Sequence, residues 1–146
     1  MSAYHGAIDQ KGRVSVPARF REHLQAHYGD RLILVPMDSA IFVYPLEEWK
    51  RRFEDKIRDL PTNREEVRRF VRNFYARAAE CAIDRQGRIL IPPHLRDQAG
   101  IQKDVVVVGV SNKLEVWGRE RWEEQEAQSR EQMESIAEGG LVDLDF

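Results

Sequence analysis

The sequence predicts a mixed α+β fold, mainly β, in which two pseudo-symmetric repeats share one hydrophobic core. The segment Asp9–Pro17 recurs 75 residues later as Asp84–Pro92, with Asp, Gly, Arg and Pro at the same places. Short apolar segments bounded by turn residues follow each copy, which is typical of strands. A repeat of about 50 residues buries too little apolar surface to be stable alone, so we expect the two repeats to pack together.

Each repeat begins with a strand, a tight turn and a second strand. The glycine of each Asp-x-x-Gly segment, Gly12 or Gly87, can adopt the positive φ that a short hairpin loop requires. Asp9 and Asp84 precede these glycines. We expect the two carboxylates to brace the turns or to orient the neighbouring arginines. Turn chemistry alone requires neither the Arg after the Gly nor the Pro four residues later, so their recurrence indicates a function.

The tips of the two turns carry cations, which are Lys11, Arg13, Arg85 and Arg88. A rigid turn that presents cations is suited to binding the phosphates and base edges of DNA. We expect Arg13 and Arg88 to contact base edges or a groove, and Lys11 and Arg85 to contact phosphates. The alternative is a pair of ordinary hairpins with solvated charges.

Beyond its turn, the first repeat is predicted to contain a helix, a hairpin and a second helix. Pro17 is a suitable first helical residue, with Gly29 at the C-terminal end of that helix. Two apolar segments follow as the strands of a hairpin, Arg31–Pro36 and Ala40–Pro45. A helix then begins at Leu46, and it carries an apolar stripe that we expect to face the core, formed by Trp49, Phe53 and Ile57.

The second repeat follows the same plan. Pro92 and Pro93 begin a short helix that should end at Gly100. Strands are predicted over residues 105–110 and 114–118. Trp122 corresponds to Trp49 at an offset of 73, because the second repeat is two residues shorter at that point. Internal duplication is therefore the main organising feature of the chain.

The segment between the repeats is predicted to be helical. Thr62-x-x-Glu65 is a capping-box pattern, and an apolar stripe follows it, formed by Val67, Phe70, Val71 and Phe74. Residues 50–72 carry nine Lys/Arg against five Asp/Glu. A solvated helical face is the simpler interpretation of these charges, and an auxiliary contact with phosphates is the alternative.

These patterns divide the chain into four parts. Residues 3–50 form the first repeat, 51–78 the linker helices, 79–122 the second repeat and 123–146 an acidic C-terminal helix and tail. The formal net charge is −2, but residues 119–146 hold three Arg against nine Asp/Glu, so residues 1–118 carry +4. A positive face is therefore compatible with a globally acidic protein. We expect the tail from Gly139 onward to be mobile and dispensable for folding.

Composition argues against other classes of protein. The single cysteine, Cys81, allows no internal disulfide and fits a reducing cytosol. No apolar run approaches the ~18 residues of a membrane span, and we see no signal peptide. We find no nucleophile–base pair, phosphate-cradling glycine loop or metal-ligand spacing. The sequence therefore predicts no enzyme, no cofactor, no metal, no small-molecule substrate and no membrane partner.

Two segments resemble the paired signatures of the MraZ family, which are bacterial transcriptional regulators with two SpoVT/AbrB-type DNA-binding repeats. They are residues 9–21 and 81–96, and residues 105–122 resemble the end of the second repeat. The resemblance implies a swapped-hairpin arrangement with a barrel-like core, flanking helices and ring-shaped homo-oligomers. It also implies a cytoplasmic, nucleoid-associated location and binding to short promoter repeats upstream of the division and cell-wall gene cluster.

Two functions are compatible with these features of the sequence. The leading interpretation is a sequence-specific DNA-binding transcriptional regulator that acts as a homo-oligomer. The alternative is an AbrB-type protein-interaction or antitoxin-like module, in which the acidic tail binds another protein. The salt dependence of duplex binding separates the two, because it should be steep for the first and absent for the second.

Overall fold

The computed structural model of the protein describes residues 3–139. In chain order, the elements are β1 (Ala3–Ala7), β2 (Arg13–Ser15), α1 (Ala18–His27), β3 (Arg31–Met37), β4 (Ala40–Pro45), α2 (Leu46–Trp49), α3 (Asp55–Arg58), α4 (Glu65–Arg77), β5 (Ala79–Ala82), β6 (Arg88–Leu90), α5 (Pro93–Ala99), β7 (Asp104–Val110), β8 (Lys113–Gly118) and α6 (Arg119–Glu138). A π-helical segment, Lys50–Glu54, joins α2 to α3. The predicted mixed α+β fold with two repeats is confirmed, and its core is built on strands.

The two repeats exchange their first strands. Six strands form an antiparallel sheet in the order β1-β7-β8-β4-β3-β5. Strand β1 of the first repeat therefore pairs with β7 of the second, and β5 of the second pairs with β3 of the first. The registers are equivalent, because the pair Ala7–Asp104 corresponds to the pair Ala82–Arg31 once the repeats are superposed in sequence. Neither repeat could form its sheet without the other.

A pseudo-two-fold axis relates the repeats at two places. Strands β4 and β8 pair symmetrically about Phe42 and Glu115. The short strands β2 and β6 form a separate two-stranded sheet, here called the ribbon, which is symmetric about Val14 and Ile89. The axis therefore passes through the ribbon and brings the two predicted turns together.

The expected barrel-like closure is wrong, because the six-stranded sheet is open. Strands β1 and β5 form its two edges, and within the described residues they do not pair with each other. The ribbon strands contain only three residues each and pair only with one another, so they do not close the gap.

The sheet separates two hydrophobic clusters. One face packs against the ribbon and helices α1 and α5, with Val14, Leu24, Ile89 and Leu95 at most 2% exposed. The other face packs against the helices around Trp49, including Phe74 of α4. Both repeats contribute to both clusters. The shared core positions the ribbon rigidly, because its inward side chains are part of that core.

One local prediction about helix ends is right in position but not in conformation, and another is wrong. Helix α1 ends at Tyr28 with an extended backbone (φ −139°, ψ −168°), and Gly29 does not adopt a positive φ, since the chain must enter β3 directly. Helix α4 has Arg64 as its N-cap with no side-chain capping hydrogen bond, so Thr62 and Glu65 form no capping box. By contrast, Gly100 ends α5 in the left-handed conformation (φ 65°), as expected.

A buried carboxylate holds the end of α1. Glu48 is 6% exposed and accepts hydrogen bonds from the Tyr28 hydroxyl at 2.7 Å, Arg51 Nη2 at 2.7 Å and Arg52 Nε at 3.0 Å. Burial alone raises the pKa of Glu48, but the hydrogen bonds outweigh it and lower the pKa from its usual value of 4.5 to about 2. The folded state therefore favours the ionised carboxylate.

This shift predicts an acid-sensitive contribution to stability. A folded-state pKa below the unfolded one stabilises the fold above about pH 4.5, and this stabilisation is lost as the pH falls towards 2. We expect Glu48→Gln to lower the free energy of unfolding at neutral pH by about 1–3 kcal/mol, since it weakens hydrogen bonds to a charged group. Urea unfolding across this pH range should show a flatter profile for the variant. Parallel profiles for variant and wild type would contradict the assignment.

Candidate nucleic-acid interface

The two turns share one backbone scaffold. The Gly12 amide donates to the Asp9 carbonyl at 3.0 Å and the Asp9 amide to the Arg13 carbonyl at 3.1 Å. In the second turn, the Gly87 amide donates to Asp84 at 3.0 Å and the Asp84 amide to Arg88 at 2.9 Å. Gly12 has φ 91° and Gly87 has φ 77°. These positive φ values explain why glycine occurs at both places, because other residues adopt them only with strain.

Each turn carboxylate binds both the backbone and an arginine. Asp9 Oδ1 accepts from the amides of Lys11 at 3.0 Å and Arg13 at 2.9 Å, while its Oδ2 accepts from Arg13 Nε at 2.6 Å. The backbone N–H of Arg13 is the largest of the influences that lower the pKa of Asp9. The ionised side chain therefore ties the turn and holds the arginine at the same time.

The second turn repeats this arrangement. Asp84 Oδ1 accepts from the amides of Gln86 at 2.9 Å and Arg88 at 2.8 Å, and its Oδ2 lies 3.2 Å from Arg88 Nε. The backbone N–H of Arg88 contributes most to lowering the pKa of Asp84. Each carboxylate binds the arginine of its own turn through Nε alone. The guanidinium Nη atoms of Arg13 make no hydrogen bond within residues 3–139. They can therefore donate to a ligand.

The ribbon brings the two turns into contact. The Val16 amide donates to the Gly87 carbonyl and the Ile91 amide to the Gly12 carbonyl, each at 2.8 Å. Arg88 Nη1 lies 3.8 Å from Asp9 Oδ2, so the arginine of one turn faces the carboxylate of the other. All four predicted cations consequently belong to one continuous surface.

The exposure of these cations differs by position. Lys11 and Arg85 are exposed, and within the described residues they form no ion pair. The side chains of Arg13 and Arg88 are 32% and 25% exposed, respectively, because their carboxylates hold them against the turns. Two exposed outer cations therefore flank two partly buried arginines that are held by carboxylates.

Two further arginines belong to this surface, and they were not among the cations predicted from the sequence of the turns. Arg21 and Arg96 occupy equivalent positions in α1 and α5, and each lies over the turn of the other repeat. A Cβ atom at Gly87 would meet Arg21 Nη1 at 2.7 Å, and one at Gly12 would meet Arg96 Cζ at 3.1 Å. The signal that could have found them is their recurrence 75 residues apart, directly after a buried helical residue.

The partners of these two arginines are not equivalent. Arg21 Nε donates to the Val16 carbonyl at 3.2 Å. Arg96 Nε is buried and has no hydrogen-bond partner among the described residues. Both arginines pack against a glycine, which has no side chain to displace them. They therefore support the turns and add positive charge to the surface.

The basic stretch before and within α4 has a different character. Arg51 and Arg52 bind Glu48, and Arg69 Nη2 lies 2.8 Å from Glu65 Oε1. Arg68 donates to the Thr62 carbonyl at 3.0 Å. These four arginines are thus engaged by nearby groups of the protein, which agrees with the solvated-face interpretation.

Other chemistries find little support in the described part of the chain. Among residues 3–139, no group of three or more His, Cys, Asp or Glu side chains could hold a metal ion. Burial raises the pKa of the Cys81 thiol to about 12, so the reactive thiolate is scarce. No helix in this range is long and apolar enough to cross a membrane.

Comparison with known proteins gives matches over the whole chain. The family described as "MraZ protein, putative antitoxin-like" matches residues 1–73 and again residues 74–143. A protein of Moorella thermoacetica named Transcriptional regulator MraZ is 48% identical over 100% of this chain and 99% of its own length. Proteins with the same name from Natranaerobius thermophilus and Caldanaerobacter subterraneus are 46% and 47% identical, over 100% and 94% of this chain and 99% and 94% of their own lengths.

Proposed function

The chain belongs to the MraZ family, as its motifs indicated, and from this premise we propose that it is a sequence-specific DNA-binding transcriptional regulator. One observation links the proposal to particular residues. The ribbon holds the two turns side by side, each braced by a carboxylate, so that their cations form one surface. The relatives are named as transcriptional regulators, which agrees with the leading interpretation of the sequence.

Arg13 and Arg88 are suited to reading base edges. A guanidinium binds O6 and N7 of guanine with two N–H groups, and this contact is specific only if the arginine is held in place. Asp9 and Asp84 hold the Nε edge of each guanidinium, which leaves both Nη groups of Arg13 and the Nη2 group of Arg88 for a base. A two-stranded ribbon also fits the major groove, which is about 12 Å wide.

Lys11 and Arg85 are suited to binding phosphates. Both are exposed, and neither is held by a carboxylate among the described residues. Phosphate contacts do not require a side chain held in one orientation, because they position a protein on the duplex without reading its sequence. We further propose that the protein binds short promoter repeats upstream of the division and cell-wall gene cluster, and that it acts in the cytoplasm, at the nucleoid. The family resemblance supports both proposals.

The salt dependence of duplex binding tests this proposal. Each phosphate contact releases counterions, so the logarithm of the binding constant should fall steeply with the logarithm of salt concentration. We expect Lys11→Ala to weaken binding to cognate and scrambled duplexes alike and to reduce the slope by about one unit. Fluorescence anisotropy at several salt concentrations measures both quantities. Binding that does not respond to salt would refute the proposal.

We also propose that the protein assembles into a ring-shaped homo-oligomer. Edge strand β1 is exposed at all five residues, and its outer hydrogen-bonding groups are available for pairing. Phe70 and Met133 are 55% and 53% exposed, which is costly for an isolated chain. Light scattering at micromolar concentration should therefore give a mass that is a multiple of 17.1 kDa. A monomer mass would contradict the assembly.

A protein-interaction or antitoxin-like role remains the second candidate. It is favoured by a largely apolar groove of about 440 Å³ between β3 and α4, whose lining includes Val35, Met37, Phe70 and Phe74. The same salt series decides between the two roles, since a module that binds only proteins would show no affinity for duplex DNA.

A further inference from the structure

The outer face of the ribbon presents a small and regular set of side chains. Successive residues of a strand point to opposite faces, so Val14 and Ile89 face inward, where they are 2% and 1% exposed. The outward positions form two cross-strand pairs, Arg13 with Leu90 and Ser15 with Arg88. Leu90 is 53% exposed although it is a large apolar residue in the middle of a polar surface.

The pseudo-two-fold axis makes this face symmetric in charge but not in chemistry. It exchanges Arg13 with Arg88, which are identical residues with equivalent carboxylate partners. It also exchanges Ser15 with Leu90, which are not equivalent, since one offers a hydroxyl and the other only apolar surface. In each half of the ribbon an arginine is exposed beside a second side chain, and that second side chain differs between the two halves.

Leu90 lies directly opposite Arg13 in the ribbon, so the two side chains can reach adjacent bases. Side chains directly opposite one another in an antiparallel pair have Cβ atoms about 4.5–5.5 Å apart. Stacked bases are about 3.4 Å apart along one strand, so two such side chains can address one base and its neighbour. In the major groove, thymine alone among the four bases offers an apolar group, its C5 methyl.

Resting on the proposed function, we propose that Leu90 contacts the methyl group of a thymine beside the base bound by Arg13. The hydroxyl of Ser15, which can donate and accept, makes a hydrogen bond at the equivalent place in the other half. The protein thereby distinguishes the two halves of its site and binds the duplex in one orientation. The Ser15–Leu90 difference sets this orientation, because both halves carry an arginine that is held by the carboxylate of its own turn.

Replacing thymine by deoxyuridine tests this contact, because it removes only the methyl group. The probe is the duplex that wild-type protein selects from a random-sequence pool, with each thymine replaced in turn. We expect one replacement to weaken wild-type binding by about three- to tenfold, as one buried methyl group would. Leu90→Ser should bind the parent duplex more weakly by the same factor and should no longer respond to that replacement.

Val110→Ser is the matched control, because Val110 is also an exposed apolar residue, at 38%, but lies at the end of β7 and away from the ribbon. This variant should keep wild-type affinity and the full response to deoxyuridine. If no replacement matters while binding still requires Arg13, the thymine contact is refuted and DNA binding stands. If Leu90→Ser instead reduces the particle mass and leaves the response to deoxyuridine intact, Leu90 lies between copies of the chain and the inference is wrong. If the pool yields no bound duplex, the proposed function fails together with it.

Discussion

Replacing Arg13 and Arg88 together by alanine should weaken binding to a selected duplex by about 30-fold to 10⁴-fold. Each bidentate contact with a base contributes about 1–3 kcal/mol of discrimination, and 1.4 kcal/mol corresponds to a factor of ten. In an oligomer that binds several repeats at once, the loss would be larger still. The melting temperature should change little, because both side chains are on the surface of the turns.

The matched control keeps the positive charge at residue 13 and removes the two parallel N–H donors of the guanidinium. Arg13→Lys retains a cation, but lysine cannot form two parallel hydrogen bonds with a guanine. We expect this variant to lose discrimination between the selected and a scrambled duplex while its salt slope stays near the wild-type value. If Arg13→Lys discriminated as well as the wild type, Arg13 would contact a phosphate and not a base.

Gly12→Ala should reduce both stability and DNA binding. At φ 91°, an added Cβ atom is strained by the backbone alone, and it would also lie 2.8 Å from the Ile91 carbonyl oxygen, which belongs to the backbone of the other repeat. We expect a loss of about 1–3 kcal/mol in the free energy of unfolding. Relief would require the ribbon to shift, so the bond between Ile91 and Gly12 and the position of Arg13 would change together.

Gly29→Ala is the control for this substitution, because Gly29 has no positive φ and an added Cβ atom would meet nothing within 4 Å. Thermal unfolding of both variants, with duplex binding measured alongside, gives the comparison. An unchanged melting temperature for Gly12→Ala would show that the turn can relax, and the rigid support that we assign to it would be wrong.

Much of the fold could be predicted because its signals are local and occur twice. The hairpin strands around residues 38–39 were placed to within a residue, since Asp38 and Ser39 sit between two apolar segments. The glycines of the turns and of the α5 terminus were predicted from the conformations that only glycine adopts easily. The duplication then gave each element of one repeat a counterpart in the other.

The exchange of strands was inferred only through the family resemblance, because it joins residues far apart in the chain. The hydrogen bond from the Val16 amide to the Gly87 carbonyl and the packing of Arg21 on Gly87 also join residues that are far apart in the chain. Composition likewise could not show which cations are neutralised, since Arg69 and Lys11 look alike until the partner Glu65 is located. The prediction of a barrel-like core was wrong, because closure of a sheet depends on how far each strand pairs with its neighbours. The tail predicted to be mobile begins at Gly139, and its residues from 140 onward lie outside the described residues.

The affinities of Arg13→Ala and Arg68→Ala for the same duplex test the central claim most directly. Both variants remove one arginine, but Arg13 lies on a turn and Arg68 on the basic helix α4. We expect Arg13→Ala to bind about tenfold or more weakly at an unchanged melting temperature, and Arg68→Ala to bind within about twofold of wild type. If Arg68→Ala abolished binding while Arg13→Ala bound like the wild type, helix α4 and not the ribbon would be the surface that reads DNA.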